Sequence, residues 1–584
     1  MKKYIVVPLL LLSSLLYAYY LHQGQEPMLM YREQQQIFLW DADYIAGLLR
    51  QIGGLGTLMS QFLVQYFLTP WHGALITTTL VGLTALFCWL TIRRINDGIC
   101  WAPLSWLPAF LQGVYLLEMG YHYDGIVALF MCSIAIYVYA LIADRASWMM
   151  RTLVGCVLNV LLYLYLGSIA VLFAICALLY DLSQHHHKNY YGSIYLLLTL
   201  SLAFWLVSEG KIVGFDYALW VKGYCDYYVE TGLWLSLAWL LLPLTMLIAW
   251  LIKRFTIKPL IQISLCMLLW LASGFFIYIQ TEKRINQDFR TMATLMKCVN
   301  EEDWDGIVNN RSLNYQNYLH LNFLNLALSH KDRMMTDLFK YPQKGAQSLM
   351  VSYQAYNDIN VLFSHIYYHI GVVSEALCLS FGSMIATTYG NPSILKMLIK
   401  ERLIYGDYQV AEKYITRLEK THAYQEWATN MRKFLYNEDA IKNDPELGKK
   451  RMSLPTPNPS FVVLDGIMSD LVKVLETAPE EPYALEYLMA MLMLDKNMQG
   501  IRYVVDRFLQ DWQGKPLPEL IQQAVTVLAE HDVDYCITHG VSEEMINRFQ
   551  IFRQTALEAR RNNVNQQSAL ASYRGTFWYY YMFG

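Results

Sequence analysis

Leu162-Tyr163-Leu164-Tyr165-Leu166-Gly167-Ser168-Ile169-Ala170-Val171 lies at the middle of an uncharged apolar run from Leu153 to Tyr180. A helix crossing a bilayer needs about 20 apolar residues. The run is too long for one straight crossing and short for two. Gly167-Ser168 offers the break, so the stretch reads as two short helices meeting there. That choice sets the side on which everything downstream lies.

Around it stand further apolar runs: Tyr4 to Leu21, Trp71 to Ile92, Trp101 to Leu117, Ile126 to Ala143, Tyr191 to Val207, Leu233 to Ile252 and Pro259 to Ile279. With the split at Gly167 they make about nine spans. The first follows Met1-Lys2-Lys3. Leu16-Tyr17-Ala18 is not a small-x-small cleavage site, so this run reads as a retained anchor rather than a signal peptide. With the N-terminus inside, the inner loops carry Arg93, Arg94, Arg145, Arg151, Lys188, Lys253, Arg254 and Lys258. The outer loops carry only Arg32, Arg50, Lys211 and Lys222. Cytoplasmic loops are enriched in Lys and Arg, and one crossing at Leu153 to Tyr180 would put Lys253-Arg254 outside. The expectation is a multi-pass protein of an inner membrane, with its N-terminus cytoplasmic and its C-terminal half periplasmic.

Composition removes several function classes. A net charge of −3 leaves no basic stripe for nucleic acid. The ten cysteines contain no C-x-x-C pair, so neither a zinc site nor a disulfide framework is indicated. The phosphate-binding G-x-x-x-x-G-K-[ST] and the zinc-binding H-E-x-x-H patterns are absent.

Chemistry would then sit in the outer loops. The first holds Asp41-Ala42-Asp43, followed by an amphipathic stretch, Tyr44 to Phe67, broken at Gly53-Gly54 and Gly56. Such a stretch can lie in the membrane interface. The second loop runs Glu118-Met119-Gly120-Tyr121-His122-Tyr123-Asp124. Neighbouring carboxylates suit a hard divalent cation such as Mg or Mn. A carboxylate can also serve as general base, and the cation can neutralise a phosphate leaving group. Asp41 and Asp43 are the catalytic candidates, with Glu118, His122 and Asp124 completing a metal site. Equally, Asp43 could cap the helix that follows, since Asp is a favoured N-cap.

This layout resembles type C glycosyltransferases, polytopic enzymes that use polyprenyl-phosphate-linked sugars. They carry acids in the first outer loop, often an interfacial helix next, and further acids in the next outer loop. Asp41-Ala42-Asp43, Tyr44 to Phe67 and Glu118/Asp124 occupy those places. The resemblance covers about the first half of the chain and implies a transferase acting at the outer face. As a whole, the chain resembles uncharacterised bacterial polytopic membrane proteins.

Lys211 and Lys222 in the fourth outer loop could bind a lipid phosphate, with Trp220, Phe215 and Tyr217 stacking on a sugar. They also read as ordinary loop residues. His185-His186-His187, in an inner loop, reads as a solvated turn.

From Thr281 onward the pattern is helix, short turn, helix. Gly406-Asp407-Tyr408-Gln409-Val410-Ala411-Glu412-Lys413-Tyr414 resembles the turn and second helix of a tetratricopeptide repeat, with Ser393 to Tyr405 as the first helix. Gly371-Val372-Val373-Ser374-Glu375-Ala376 repeats the signal about 35 residues earlier, near the 34-residue period. Weaker units start at Glu302 and Tyr315, and another spans Tyr483 to Leu509 with Lys496-Asn497-Met498 at its turn. The fold expected is all-α: a polytopic membrane domain over 1–280, then a TPR-like α-solenoid. Repeats would fill 281–442, a Pro-rich linker 443–460, and further repeats with an aromatic tail 461–584. A solenoid presents a concave surface to an extended peptide or protein. The function expected is a lipid-linked-sugar glycosyltransferase at the outer face, and the alternative is a non-catalytic scaffold in an envelope assembly.

Overall fold

Gly167 adopts φ +85°, a region side-chain-bearing residues rarely enter, and the helix Trp148–Leu166 ends against it. A new helix, Ile169–Ser183, begins two residues later. The computed structural model describes residues 3–69, 71–117, 120–184, 192–226, 233–254, 258–284, 286–351, 357–387, 390–454, 466–479, 481–509 and 517–584. Every regular element among them is helical, apart from one isolated antiparallel bridge, Tyr121 to Cys225. The chain divides into two units: Met1–Arg290 with Lys420–Ala423, and Thr291–Glu419 with Tyr424–Gly584.

The first unit holds α1 (Lys3–Gln34), α2 (Ala42–Leu49), α3 (Gly54–Val64), α4 (His72–Ile95), α5 (Ala102–Tyr115) and α6 (Asp124–Ala143). It continues with α7 (Trp148–Leu166), α8 (Ile169–Ser183), α9 (Ser193–Ser208), α10 (Phe215–Leu219), α11 (Leu233–Leu251) and α12 (Pro259–Arg284). Among the described residues, five segments are long and apolar enough to cross a membrane: Ile5–Gln34, His72–Ile95, Asp124–Ala143, Trp148–Leu166 and Leu260–Lys283. Among the remaining apolar helices, α5, α8 and α9 are shorter. At 1.5 Å per residue, the 14 residues of α5 reach about 21 Å and the 15 of α8 about 22 Å, against a hydrocarbon core of about 30 Å.

Hydrogen bonds give the helices their directions. At one end, Arg94 of α4 pairs with Asp144 after α6. Tyr180 of α8 donates to the same Asp144 at 2.6 Å, and Asn96 donates to Ala249 O of α11 at 3.0 Å. The C-termini of α4, α6, α8 and α11 therefore lie together, and these four helices run the same way. At the other end, Tyr224 Oη donates to Leu166 O at the close of α7 and accepts from Ile169 N–H, 3.2 Å away, at the start of α8.

Three local expectations change. The first helix does not stop at Leu21 but runs to Gln34, because its polar end is enclosed. Arg32 is buried and donates to Leu116 O at 2.7 Å, beyond the last turn of α5. Arg151, placed in a loop by its charge, sits in the first turn of α7, buried 3.5 Å from Asp181 of α8. Asp181 also accepts from Tyr139 Oη of α6 at 2.8 and 2.9 Å. Finally, part of the stretch read as a Pro-rich linker is helical, at Leu447–Met452; residues 455–460 lie outside the described residues.

The second unit begins within α13 (Gln287–Asn300), followed by α14 (Trp304–Val308), α15 (Tyr318–His330), α16 (Met334–Asp337), α17 (Asn357–His369) and α18 (Val373–Ala386). Next come α19 (Pro392–Tyr405), α20 (Tyr408–Glu419), α21 (Gln425–Met431), α22 (Glu438–Asn443), α23 (Leu447–Met452) and α24 (Ile467–Thr477). Then follow α25 (Pro482–Leu494), α26 (Met498–Phe508), α27 (Glu519–Leu528), α28 (Val533–Thr538), α29 (Glu543–Arg561), α30 (Gln566–Ala569) and α31 (Phe577–Phe583).

One turn recurs through this unit. Glu302, Asp332, Gly371, Gly406, Lys496, Gly540 and Asn563 all have positive φ just after a helix. The residue after each donates its N–H to a carbonyl five positions back: Asp303 to Cys298, Val372 to Tyr367, Asp407 to Arg402 and Asn497 to Leu492, for example. This is the Schellman closure, which satisfies the last carbonyls of one helix. Asp303 and Asn497 then cap the next helix through Gly306 N–H and Gly500 N–H. The aromatic C-terminus packs inward. Phe577 and Trp578 are buried against α27, and Trp578 Nε1 donates to Gln523 O and Thr526 Oγ1 at 3.1 and 3.0 Å.

Candidate functional site

The outer-loop residues lie in three settings. Asp41, not Asp43, is the N-cap of α2. Its backbone is extended, and Tyr44 N–H donates to its Oδ1 at 3.0 Å. Either Asp is a favoured cap; the one that serves is the residue just before the first helical position. Lys420, which belongs to the same unit, donates to Asp41 Oδ2. The Lys420 ammonium first, and the Tyr44 N–H second, hold the Asp41 carboxyl below the usual carboxylate range. Asp43 sits exposed in the first turn of α2.

Asp124 is at the N-terminus of α6, buried, and accepts from Thr57 Oγ1 of α3 at 2.8 Å. His122 Nε2 is 2.8 Å from Asp226 Oδ1 of the fourth loop. The backbone fastens the same two loops, with His122 N–H to Tyr224 O and Asp226 N–H to Gly120 O, each at 2.8 Å. Glu118 lies outside the described residues, as do His185, His186 and His187.

The structure thus ties the first loop to the second through Thr57 and Asp124, and the second to the fourth through His122 and Asp226. Asp41 takes other partners. Among the described residues no three His, Cys, Asp or Glu side chains gather closely enough to hold a metal ion. Thr57 and Asp226 are the partners that sequence spacing missed, because each comes from a distant loop.

The three substrate-binding candidates are engaged locally. Lys211 Nζ lies 5.2 Å from the Trp205 ring centre and Lys222 Nζ 5.4 Å from that of Tyr217, both within cation–π range. Trp220 Nε1 donates to Ser236 Oγ at 2.6 Å. A separate apolar groove of about 420 Å³ runs between α1, α5 and α12, lined by Tyr17, Tyr20, Trp106, Phe110, Trp270 and Tyr278 among others. None of the candidate acids lines it.

The chain is therefore an all-α protein with a unit of long apolar helices and a unit of helical hairpins joined by Schellman turns. It belongs to DUF6057, a family of unknown function, whose model matches residues 2–584. No curated protein matches it, and no solved structure does.

Proposed function

We propose that this chain is a non-catalytic scaffold of an inner membrane, crossing it nine times through α1, α4 to α9, α11 and α12. On this reading its N-terminus is cytoplasmic and its second unit periplasmic, holding a peptide or protein partner on a TPR-like solenoid. The observation that carries the reading is the commitment of Asp41: one oxygen caps α2 and the other pairs with Lys420. The shared direction of α4, α6, α8 and α11 supports nine crossings, since alternate spans must run alike. The repeated Schellman turns support a solenoid of related hairpins.

The test is the double variant Asp41→Asn, Asp43→Asn in the full chain. Compared with a deletion strain for growth and envelope integrity, it should behave as wild type at equal protein level. Loss of function at equal protein level would contradict the scaffold reading.

A second reading is a glycosyltransferase using a polyprenyl-phosphate-linked sugar, with a divalent cation at the outer loops. The groove between α1, α5 and α12 favours it, because an apolar channel walled by Tyr and Trp suits a polyprenyl chain. Asp43, exposed beside the committed Asp41, would then be the acid facing substrate. Sugar transfer by the purified chain, abolished by Asp43→Asn, would establish this reading; no transfer with any polyprenyl-linked donor would remove it.

A further inference from the structure

Neither reading uses a cavity of about 920 Å³ inside the second unit. Its size falls in the range of pockets for organic ligands, roughly 300–1,000 Å³. One wall is a column of rings from four helices. Trp304 stacks on His330 with centres 3.8 Å apart and planes 7° apart, His330 on His369 at 3.7 Å, and His369 against Tyr483 at 4.1 Å. The other wall carries Lys396 and Lys400 from α19 and Lys449 and Lys450 from α23.

The hydrogen-bond inventory of these walls is lopsided. Glu446 Oε1 already accepts from Tyr368 Oη at 2.8 Å and Lys400 Nζ at 2.7 Å. Glu481 accepts from Lys450 Nζ at 3.3 Å and from Ser453 Oγ at 3.2 Å. Glu446 and Glu481 are thus each paired with a lysine, and with Glu302 the cavity carries three carboxylates against four lysines, so lysine donors remain. A lysine ammonium has three. Lys450, which is buried, uses one on Glu481 and one on His369 O at 2.5 Å. Lys400 uses one on Glu446. The Lys449 side chain is exposed and has no hydrogen bond or ion pair among the described residues. His365 Nε2 is enclosed and has no hydrogen-bond partner among the described residues. Burial first, then Lys400 and Lys396, pushes the His365 pKa down to about 4, so it stays neutral and adds a hydrogen bond rather than a charge.

We propose that this cavity binds a small anionic saccharide, a sugar ring carrying a phosphate or a carboxylate. The surplus lysine donors call for an acceptor-rich, negative group. The volume is several times what one phosphate fills. Trp304 is half-exposed and ends the ring column, which leaves an aromatic surface for the C–H face of a sugar. Asn300, Ser393 and Glu302 at the same cavity supply polar partners for hydroxyls. The site stands whichever reading of the membrane unit holds.

The test uses the full chain in detergent, titrated by calorimetry with a panel of sugar phosphates and uronates that includes glucose 6-phosphate and glucuronate. Glucose and inorganic phosphate are run beside them. At least one anionic sugar should bind saturably, and glucose and inorganic phosphate each about tenfold or more weaker than it. The phosphate and uronate arms tell the two anionic groups apart. Lys449→Glu, at an exposed position, should weaken binding by roughly tenfold or more with unchanged melting. Lys450→Met should do the same if it folds. The proposal is overturned if no anionic sugar binds saturably at millimolar concentration. It is also overturned if glucose or inorganic phosphate binds as tightly, or if Lys449→Glu leaves affinity unchanged.

Discussion

Thr57 Oγ1 donates to Asp124 Oδ2 at 2.8 Å, and that bond ties α3 to the first turn of α6. Asp124 is 5 % exposed, so its carboxylate is a structural acceptor at a helix start, where negative charge is favoured. Removing Thr57 Oγ1 leaves the buried Asp124 carboxylate without this donor, and removing Asp124 takes the acceptor from the half-buried Thr57, each at a cost of about 1–3 kcal/mol. Thr57→Val and Asp124→Ala should each lower stability by that order, and the double variant should lose less than the sum. Unfolding of the four proteins in detergent checks this.

Arg151 and Asp181 form a buried pair between α7 and α8, 3.5 Å apart. Breaking a buried pair from one side strands a charge and costs about 3–5 kcal/mol. Asp181→Ala and Arg151→Met should each sharply reduce the yield of folded protein on size exclusion. Asp181→Asn should be milder, because its amide oxygen can still accept from Tyr139.

Two glycines of the second unit should respond with opposite signs. Gly406 has φ +78° at a Schellman turn, so Gly406→Ala should destabilise by about 1–2 kcal/mol. Gly382 lies inside α18 with open space where a Cβ would go. Gly382→Ala should therefore stabilise by up to about 1 kcal/mol through helix propensity. Chemical denaturation of both variants measures the difference.

Glu401 is fully buried in α19 and accepts from Ser380 Oγ at 2.9 Å. Burial raises its pKa from 4.5 to about 8, against smaller opposing effects of Ser380 and Arg402. The folded chain then holds a proton that the unfolded chain releases. This contribution is fully present below about 4.5 and is lost as pH rises through about 8. Stability should fall by on the order of a few kcal/mol between about pH 5 and pH 8 from this group alone. Glu401→Gln should flatten that slope and be the more stable protein at the alkaline end, as melting curves across pH would record.

What was legible in the sequence was what local chemistry announces. Gly167 marked the break between α7 and α8, and Gly371 and Gly406 marked two hairpin turns, because glycine is the residue that positive φ favours. The same turn at Asp332 and Asn563 gave no such sign, since Asp and Asn also serve caps and loops. The choice between Asp41 and Asp43 as cap depended on where the helix begins, which two acids one residue apart do not reveal. Residues 22–34 read as a polar loop because their cover, the end of α5, lies some 80 positions away. The cavity of the second unit was invisible for the same reason: Trp304, His330, His369, Lys450 and Tyr483 share no spacing until the helices pack.

On the proposed topology the membrane is crossed an odd number of times before the second unit, which puts that unit outside the cytoplasm. Cys378 on α18 is an exposed cysteine, whereas Cys298 and Cys536 of the same unit are buried. A membrane-impermeant maleimide applied to sealed, right-side-out vesicles should label the native chain and fail to label Cys378→Ser. Labelling of Cys378 only after the vesicles are opened would place the second unit in the cytoplasm and contradict the account.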